Sequence, residues 1–184
     1  MIGQIVPNSG RENQMDGETV KILCAETGEQ LRGFRLPGWD EIPELDYYMD
    51  QVLSLVERYL GEYPGFERKG LTASMVNNYV KQGVLQPPIK KRYGRAHLAR
   101  LLMICILKTS LPIVSVKRLL AVEQENEKEF YCRFTQLFDE TNANTADALE
   151  QSDTVSAAAV VCRTALRAQA EQAIAVRLCA ELEE

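Results

Sequence analysis

From Leu45 onward, apolar side chains recur at spacings of three and four residues, and glycines and prolines punctuate them. That recurrence follows the 3.6-residue turn of a helix, not the two-residue repeat of a half-buried strand. It restricts the chain to a helical fold. Leu45, Tyr48, Met49, Val52, Leu55, Val56, Tyr59 and Leu60 share one face of a helix that starts near Pro43–Glu44 and stops at Gly61. Thr72 suits the N-cap of a helix over 73–82, with Gly83 at its C-terminal end. Pro87-Pro88 forbids helix, so Ile89–Tyr93 reads as a short, basic, extended loop. A third helix covers Arg95–Thr109, and Pro112 opens a fourth at Ile113–Ala121. Phe130, Phe134, Leu137 and Phe138 mark a helix within Glu123–Phe138. Asn142–Asp147 reads as a polar break. An alanine-rich last helix follows over Thr154–Leu182, capped by Ser152 or Asp153.

The first 33 residues differ. They are rich in Gly, Asn, Gln and Glu, and only Glu18–Ala25 has the look of a short strand. They read as a flexible or short-strand arm. Phe34, Leu36 and Trp39 then form an extended anchor expected to lie on the first helix. Three regions follow: an arm at 1–33, a helical domain at 34–122, and an acidic helical extension at 123–184.

Charge is distributed unevenly over these regions. The chain carries 21 Lys/Arg and 26 Asp/Glu, a net −5. Yet Phe66–Leu120 holds eleven basic residues and one acidic residue, Glu67, a local net of +10. A basic block on a folded module is the electrostatic footprint of a polyanion, most often nucleic acid. The five cysteines form no C-x-x-C, and a single His offers few further metal ligands. They read as reduced cytosolic thiols filling apolar space, and no cofactor is implied. No apolar run is long enough to span a bilayer, and Met1–Gln14 lacks a signal-peptide pattern. A cytoplasmic protein without a membrane partner is expected. There is no Gly-rich phosphate loop, no G-x-S-x-G, and no histidine beyond His97 to serve a nucleophile, so an enzyme is not expected. His97 itself reads as an ordinary, partly exposed imidazole, Trp39 as a packing anchor and Tyr79 as a core residue.

Helix, turn, helix, short basic loop, helix is the order of a winged helix-turn-helix. The stretch Leu71–Leu85 followed by Pro87-Pro88 resembles the MerR-type DNA-binding domain, with its Ser/Thr cap, its aromatic late in the helix, then Gly, two apolar residues and Pro. Tyr93–Leu98 is similar to that family's exit from the wing, and Leu111–Leu120 to its later helix. The residues Leu36-Pro37-Gly38-Trp39-Asp40, Tyr48-Met49-Asp50-Gln51, Met75–Gly83 and Lys90-Lys91-Arg92-Tyr93 more closely resemble an uncharacterised bacterial family built on this module, domain of unknown function 1836. The resemblance covers roughly Phe34–Phe138. It departs from MerR in its recognition helix, where Ser74, Asn77 and Asn78 stand in place of Arg and a second Tyr, in a shorter loop, and in an insertion at Glu62–Gly70.

The resulting expectation is an all-α, MerR-like winged helix-turn-helix with a short extended N-terminal arm and a C-terminal helical extension. Its expected partner is double-stranded DNA. Ser74, Asn77, Asn78 and Lys81 lie on the polar face of helix 73–82, where asparagine can pair bidentately with adenine in the major groove. Thr72 leaves helix N-terminal N–H groups facing a phosphate, and Lys90, Lys91, Arg92 and Arg95 suit the flanking phosphates. The last helix is the expected homodimer element, through Val155, Ala159, Cys162 and Leu166, continued by Ala173, Ile174, Leu178 and Leu182. Two other readings share the fold: a protein-interaction adaptor using it as a scaffold, and an architectural DNA-bending protein.

Overall fold

A computed structural model describes residues 17–64, 66, 70–122, 126–151 and 156–182. Among these residues the chain is all-α. The helices are α1 (Gly17–Gly33), α2 (Met49–Leu60), α3 (Ala73–Lys81), α4 (Arg95–Leu107), α5 (Ile113–Ala121), α6 (Glu127–Glu150) and α7 (Ala157–Ala180), with a 3-10 turn at Trp39–Glu41. None of them is long and apolar enough to cross a membrane.

Helix α4 is the centre of the fold. Every residue from Leu98 to Cys105 is buried. A helix buried on all sides needs neighbours on all sides. Val52, Val56 and Leu60 of α2, Val76 and Tyr79 of α3, Val116 and Leu120 of α5, Tyr131 and Phe138 of α6, and Cys179 of α7 pack in the same core, joined by Leu36, Ile42, Leu71, Val84, Leu85, Tyr93 and Leu111 from the connecting segments. Arg100 interrupts the apolar run and is buried with it. Its Nη2 meets Glu127 Oε1 at 2.9 Å, where α6 begins, so the charge is paired inside the fold. Burial also pushes the Cys105 thiol up to about 11, which keeps it a neutral, apolar filler.

The arm does not contain a strand. Glu18–Ala25 belongs to α1, whose inward residues Val20, Cys24, Gly28 and Leu31 are spaced 4-4-3. The alternation of Val20, Ile22 and Cys24 suggests a strand, but Ile22 points outward and is 51% exposed. The decisive contact is tertiary: α1 lies along α6, and a side chain at Gly28 would begin 3.6 Å from Ala146 Cβ. Arg32 then forks to Asp147 and Glu150, which raises its own pKa and lowers that of Glu150.

The same packing removes the expected break at Asn142–Asp147. Helix α6 runs through it without interruption, with Asn142 and Ala146 buried. Polar residues that would favour a turn in isolation stay helical because the helix is covered on this side. The helix starts instead at Asn126, whose Oδ1 accepts the Glu129 N–H at 3.2 Å. Helix α7 starts at Ala157 with Ser156 as its cap. The expected caps Ser152 and Asp153 lie outside the described residues.

Helix α2 also starts later than its apolar spacing suggests. Tyr47 and Tyr93 exchange backbone hydrogen bonds of 2.9 Å in both directions, and that pairing holds Tyr47 extended. Helix α2 therefore begins at Met49, with the Tyr48 N–H donating to Gln51 Oε1 at 2.9 Å. Leu45 falls outside the helix and is 64% exposed.

The rings of the anchor before α2, expected along that helix, rest instead on Tyr63, just past its end, and on aromatic residues of α6. The Phe34 ring sits 4.9 Å from Tyr63 and 6.0 Å from Phe138, and Trp39 sits 6.1 Å from Tyr131. The buried Tyr131 hydroxyl donates to Pro37 O at 2.8 Å. Arg35 forks onto Glu41 at 2.7 and 2.8 Å and, with the Gly38 N–H at 2.7 Å, holds that carboxyl down at about 2.

Candidate nucleic-acid interface

Helix α3 is short and two-faced. Val76 and Tyr79 are buried against the core, and burial pushes the Tyr79 phenol up to about 12. Ser74, Asn77, Asn78 and Lys81 are exposed on the opposite side, where with Met75 they line one shallow depression. Thr72 caps the helix, its Oγ1 accepting the Met75 N–H at 3.2 Å. The helix ends in a left-handed glycine: Gly83 has φ +69°, and the Val84 and Leu85 N–H groups return to Tyr79 O at 2.9 and 3.2 Å. Val84 and Leu85 are thereby driven into the core. That seating aims the polar face of α3 at solvent.

The basic loop is a two-residue hairpin. Ile89 and Arg92 exchange backbone hydrogen bonds of 3.1 and 2.9 Å. Lys90 and Lys91 form the turn, at φ 50° and 65°. Both values lie in the left-handed region, as a type I′ turn requires, a turn that favours Asn-Gly. Two lysines there carry backbone strain of about 1 kcal/mol or more each. Their ammonium groups stand at the tip, exposed.

Arg92 and Arg95 play other parts. The Arg92 guanidinium lies 4.3 Å over the Tyr48 ring, and its Nη2 donates to Tyr48 Oη at 2.8 Å. Arg92 thus clips the hairpin to the segment before α2. Arg95 is drawn inward, its side chain only 18% exposed, between Asp40 at 3.5 Å, Glu44 at 3.8 Å and the Trp39 ring at 5.9 Å. The structure therefore leaves Thr72, Ser74, Asn77, Asn78, Lys81, Lys90 and Lys91 open to a partner, and sets Arg92 and Arg95 to holding the frame. His97 belongs to the frame too. Its Nδ1 accepts the Gly94 N–H at 3.1 Å, and Nε2 faces Pro87 O at 3.4 Å, so the imidazole joins the two ends of the hairpin.

One residue joins the open set that sequence spacing had not suggested. Lys117 of α5 is exposed, and its Nζ comes within 3.9 Å of where a side chain on Gly83 would begin. That places an ammonium at the C-terminal end of α3, where the helix dipole favours a cation. Nothing in the linear pattern brings positions 83 and 117 together. Only the packing of α5 does.

A family model described as a domain of unknown function, DUF1836, matches residues 37–141. The chain belongs to that family. The DUF1836 region begins at Pro37, the acceptor of the Tyr131 hydroxyl, and ends within α6. It therefore contains α2–α5, the hairpin and the whole open set, while α1 and α7 lie outside it. No curated protein and no solved structure matches the chain significantly.

Proposed function

We propose that this DUF1836 protein is a sequence-specific DNA-binding transcription regulator of the bacterial cytoplasm, without catalytic activity. The observation that carries the reading is the outward polar face of α3, seated on the core through Val76 and Tyr79 and flanked by exposed lysines. In the MerR-like, winged helix-turn-helix reading, α3 enters the major groove and the Ile89–Arg92 hairpin is a minimal wing. Asn77 and Asn78 read base edges. Lys81, Lys90, Lys91 and Lys117 contact phosphates. The strain at Lys90 and Lys91 supports the reading, since a turn built only for stability would use Asn-Gly.

The test is selection of bound fragments from pooled genomic DNA at low and moderate salt. A specific regulator enriches a few sites that survive moderate salt. Absence of retention even at low salt would move the adaptor reading to first place. Replacing Asn77 or Asn78 by Ala should cost about 1–3 kcal/mol at the selected site and leave non-specific binding unchanged. Equal losses on all DNA sequences would remove both residues from base reading.

Such modules commonly bind two-fold half-sites as dimers, and α7 supports a homodimer here. Apart from Cys179 it has no buried residue, and Val161, Leu166, Ile174 and Leu178 are each more than 60% exposed. Val155, an expected contributor, lies outside the described residues. Because α6 continues to Glu150 and carries α1, the cut falls after Gln151, at the cost of the Cys179 core contact. That truncated protein should be a monomer by light scattering; a dimer would exclude α7 as the dimer element.

A further inference from the structure

We propose a second, separate site: a groove between the C-terminal part of α4, α5 and α6 that binds a neutral small molecule with an apolar body and a carbonyl acceptor. The groove has a volume of about 470 Å³, within the range of small-molecule pockets. Ile106, Leu119, Phe130, Phe134 and Phe138 give it an apolar, largely aromatic lining, with Leu137 at its edge. Its polar lining is sparse and mostly engaged. Thr109 and Thr141 donate to the carbonyls of Ile106 and Leu137 in their own helical stretches, each at 2.6 Å. Ser110 O accepts from Gln172 Nε2 at 2.7 Å. Arg133, exposed at the groove, already has a partner. Burial raises the pKa of the Tyr63 phenol, which therefore stays neutral. Among the described lining residues no free charge remains to compensate an ionic ligand, and an uncompensated charge is far costlier to bury than a carbonyl.

Asn142 is the exception. It continues the row Phe130, Phe134 and Phe138 at four-residue spacing, so it belongs to the same wall of the groove. It is 6% exposed, yet its Nδ2 has no hydrogen-bond partner among the described residues. An orphaned buried amide is costly, and buried polar groups are almost always satisfied. A ligand carbonyl oxygen would satisfy it without bringing in charge. An aromatic slot with one amide donor is the chemistry of an aryl-alkyl ketone, ester or amide, its ring against the phenylalanines and its oxygen on Asn142. The polarity of Asn142, a reason to expect a helix break in the sequence, has its use here.

The site does not depend on DNA binding, and its test needs no DNA. The full chain is titrated with benzylacetone, an aryl-alkyl ketone, and with butylbenzene, which has the same body and no acceptor. Hydrocinnamate, the corresponding carboxylate, is the charge control. Melting temperature and the NMR signals of the Asn142 side-chain amide report binding. The expected result is saturable binding near one benzylacetone per chain, a rise in melting temperature, and a shift of the Asn142 amide signals that butylbenzene does not reproduce. Hydrocinnamate should bind at least tenfold more weakly than the ketone. Asn142→Leu should fold at least as stably as the parent, still take butylbenzene, and show a ketone-to-hydrocarbon affinity ratio at least tenfold lower. Leu137→Trp, placed at the exposed edge so as to fill the groove without disturbing the core, should block both ligands, and it tests the site even if Asn142→Leu fails to fold. No saturable binding of benzylacetone would overturn the proposal. So would an affinity ratio unchanged in Asn142→Leu, hydrocinnamate bound as tightly as the ketone, or binding unaffected by Leu137→Trp. Binding that vanishes as protein concentration rises would assign the groove to a second copy of the chain and would overturn it too.

Discussion

Replacing Lys90-Lys91 by Asn-Gly together with Lys117→Ala should weaken binding to all DNA by about a hundredfold near 0.15 M salt. Counterion release contributes on the order of 0.7 log units per neutralised phosphate at that ionic strength, and three contacts are removed. The dependence of log K on log salt should flatten by about 2.7. Preference among sites should hardly change, because phosphate contacts position the protein and base contacts specify. The substitution separates charge from architecture. Lys90 and Lys91 sit at φ 50° and 65°, where Asn-Gly is the favoured pair, so the hairpin itself should be stabilised. Weaker DNA binding in a protein that melts no lower can then be ascribed to lost charge. Unchanged DNA affinity would remove the hairpin tip and the α5 lysine from the interface.

Tyr131→Ala should destabilise the fold by about 3–5 kcal/mol, the range for deleting a fully buried aromatic ring. Tyr131 is 0% exposed, packs beside Trp39, and donates its hydroxyl to Pro37 O at 2.8 Å. The ring fills the core between α6 and the anchor, and the hydroxyl ties that anchor down. The phenol is strongly desolvated, which raises its pKa and keeps it a donor across the working pH range. Tyr131→Phe isolates the tie: it keeps the ring, leaves Pro37 O unpaired, and should cost about 1–2 kcal/mol. Urea denaturation of the three proteins measures both steps. Equal stability of Tyr131→Ala and the parent would mean that the anchor is not held through α6. This contact ties Pro37, where the DUF1836 match begins, to α6, in which the match ends.

Much of the helical frame was legible because it is amphipathic. Helix α5 spans Ile113–Ala121 as its spacing indicates, and Thr72 caps α3 as its position indicates. The exposed face of α3 was legible for the same reason: once Val76 and Tyr79 turn inward, Ser74, Asn77, Asn78 and Lys81 must turn outward. The errors cluster where one segment's conformation depends on another. The arm carries a two-residue pattern over Val20–Cys24 and a 4-4-3 pattern over Val20–Leu31, and α6 selects the helical one by offering Ala146 to Gly28. Asn142–Asp147 stays helical because the stretch is packed, Ala146 and Asp147 against α1 and Asn142 buried on another side. The start of α2 is delayed because Tyr47 pairs with Tyr93, 46 positions away.

The chain's own periodicity determined that the protein is helical, where most of its helices lie, and which residues of α3 meet solvent. Local hydrogen bonding and hydrophobic burial act over a few residues, and a few residues are enough to read them. Tertiary structure alone decided which cations remain open. It drew Arg95 between Asp40, Glu44 and Trp39, laid Arg92 on Tyr48, and brought Lys117 to the end of α3. It also buried Asn142 beside an apolar groove. Charge and burial at those positions depend on groups distant in the sequence, and only their meeting in space sets what each side chain can touch.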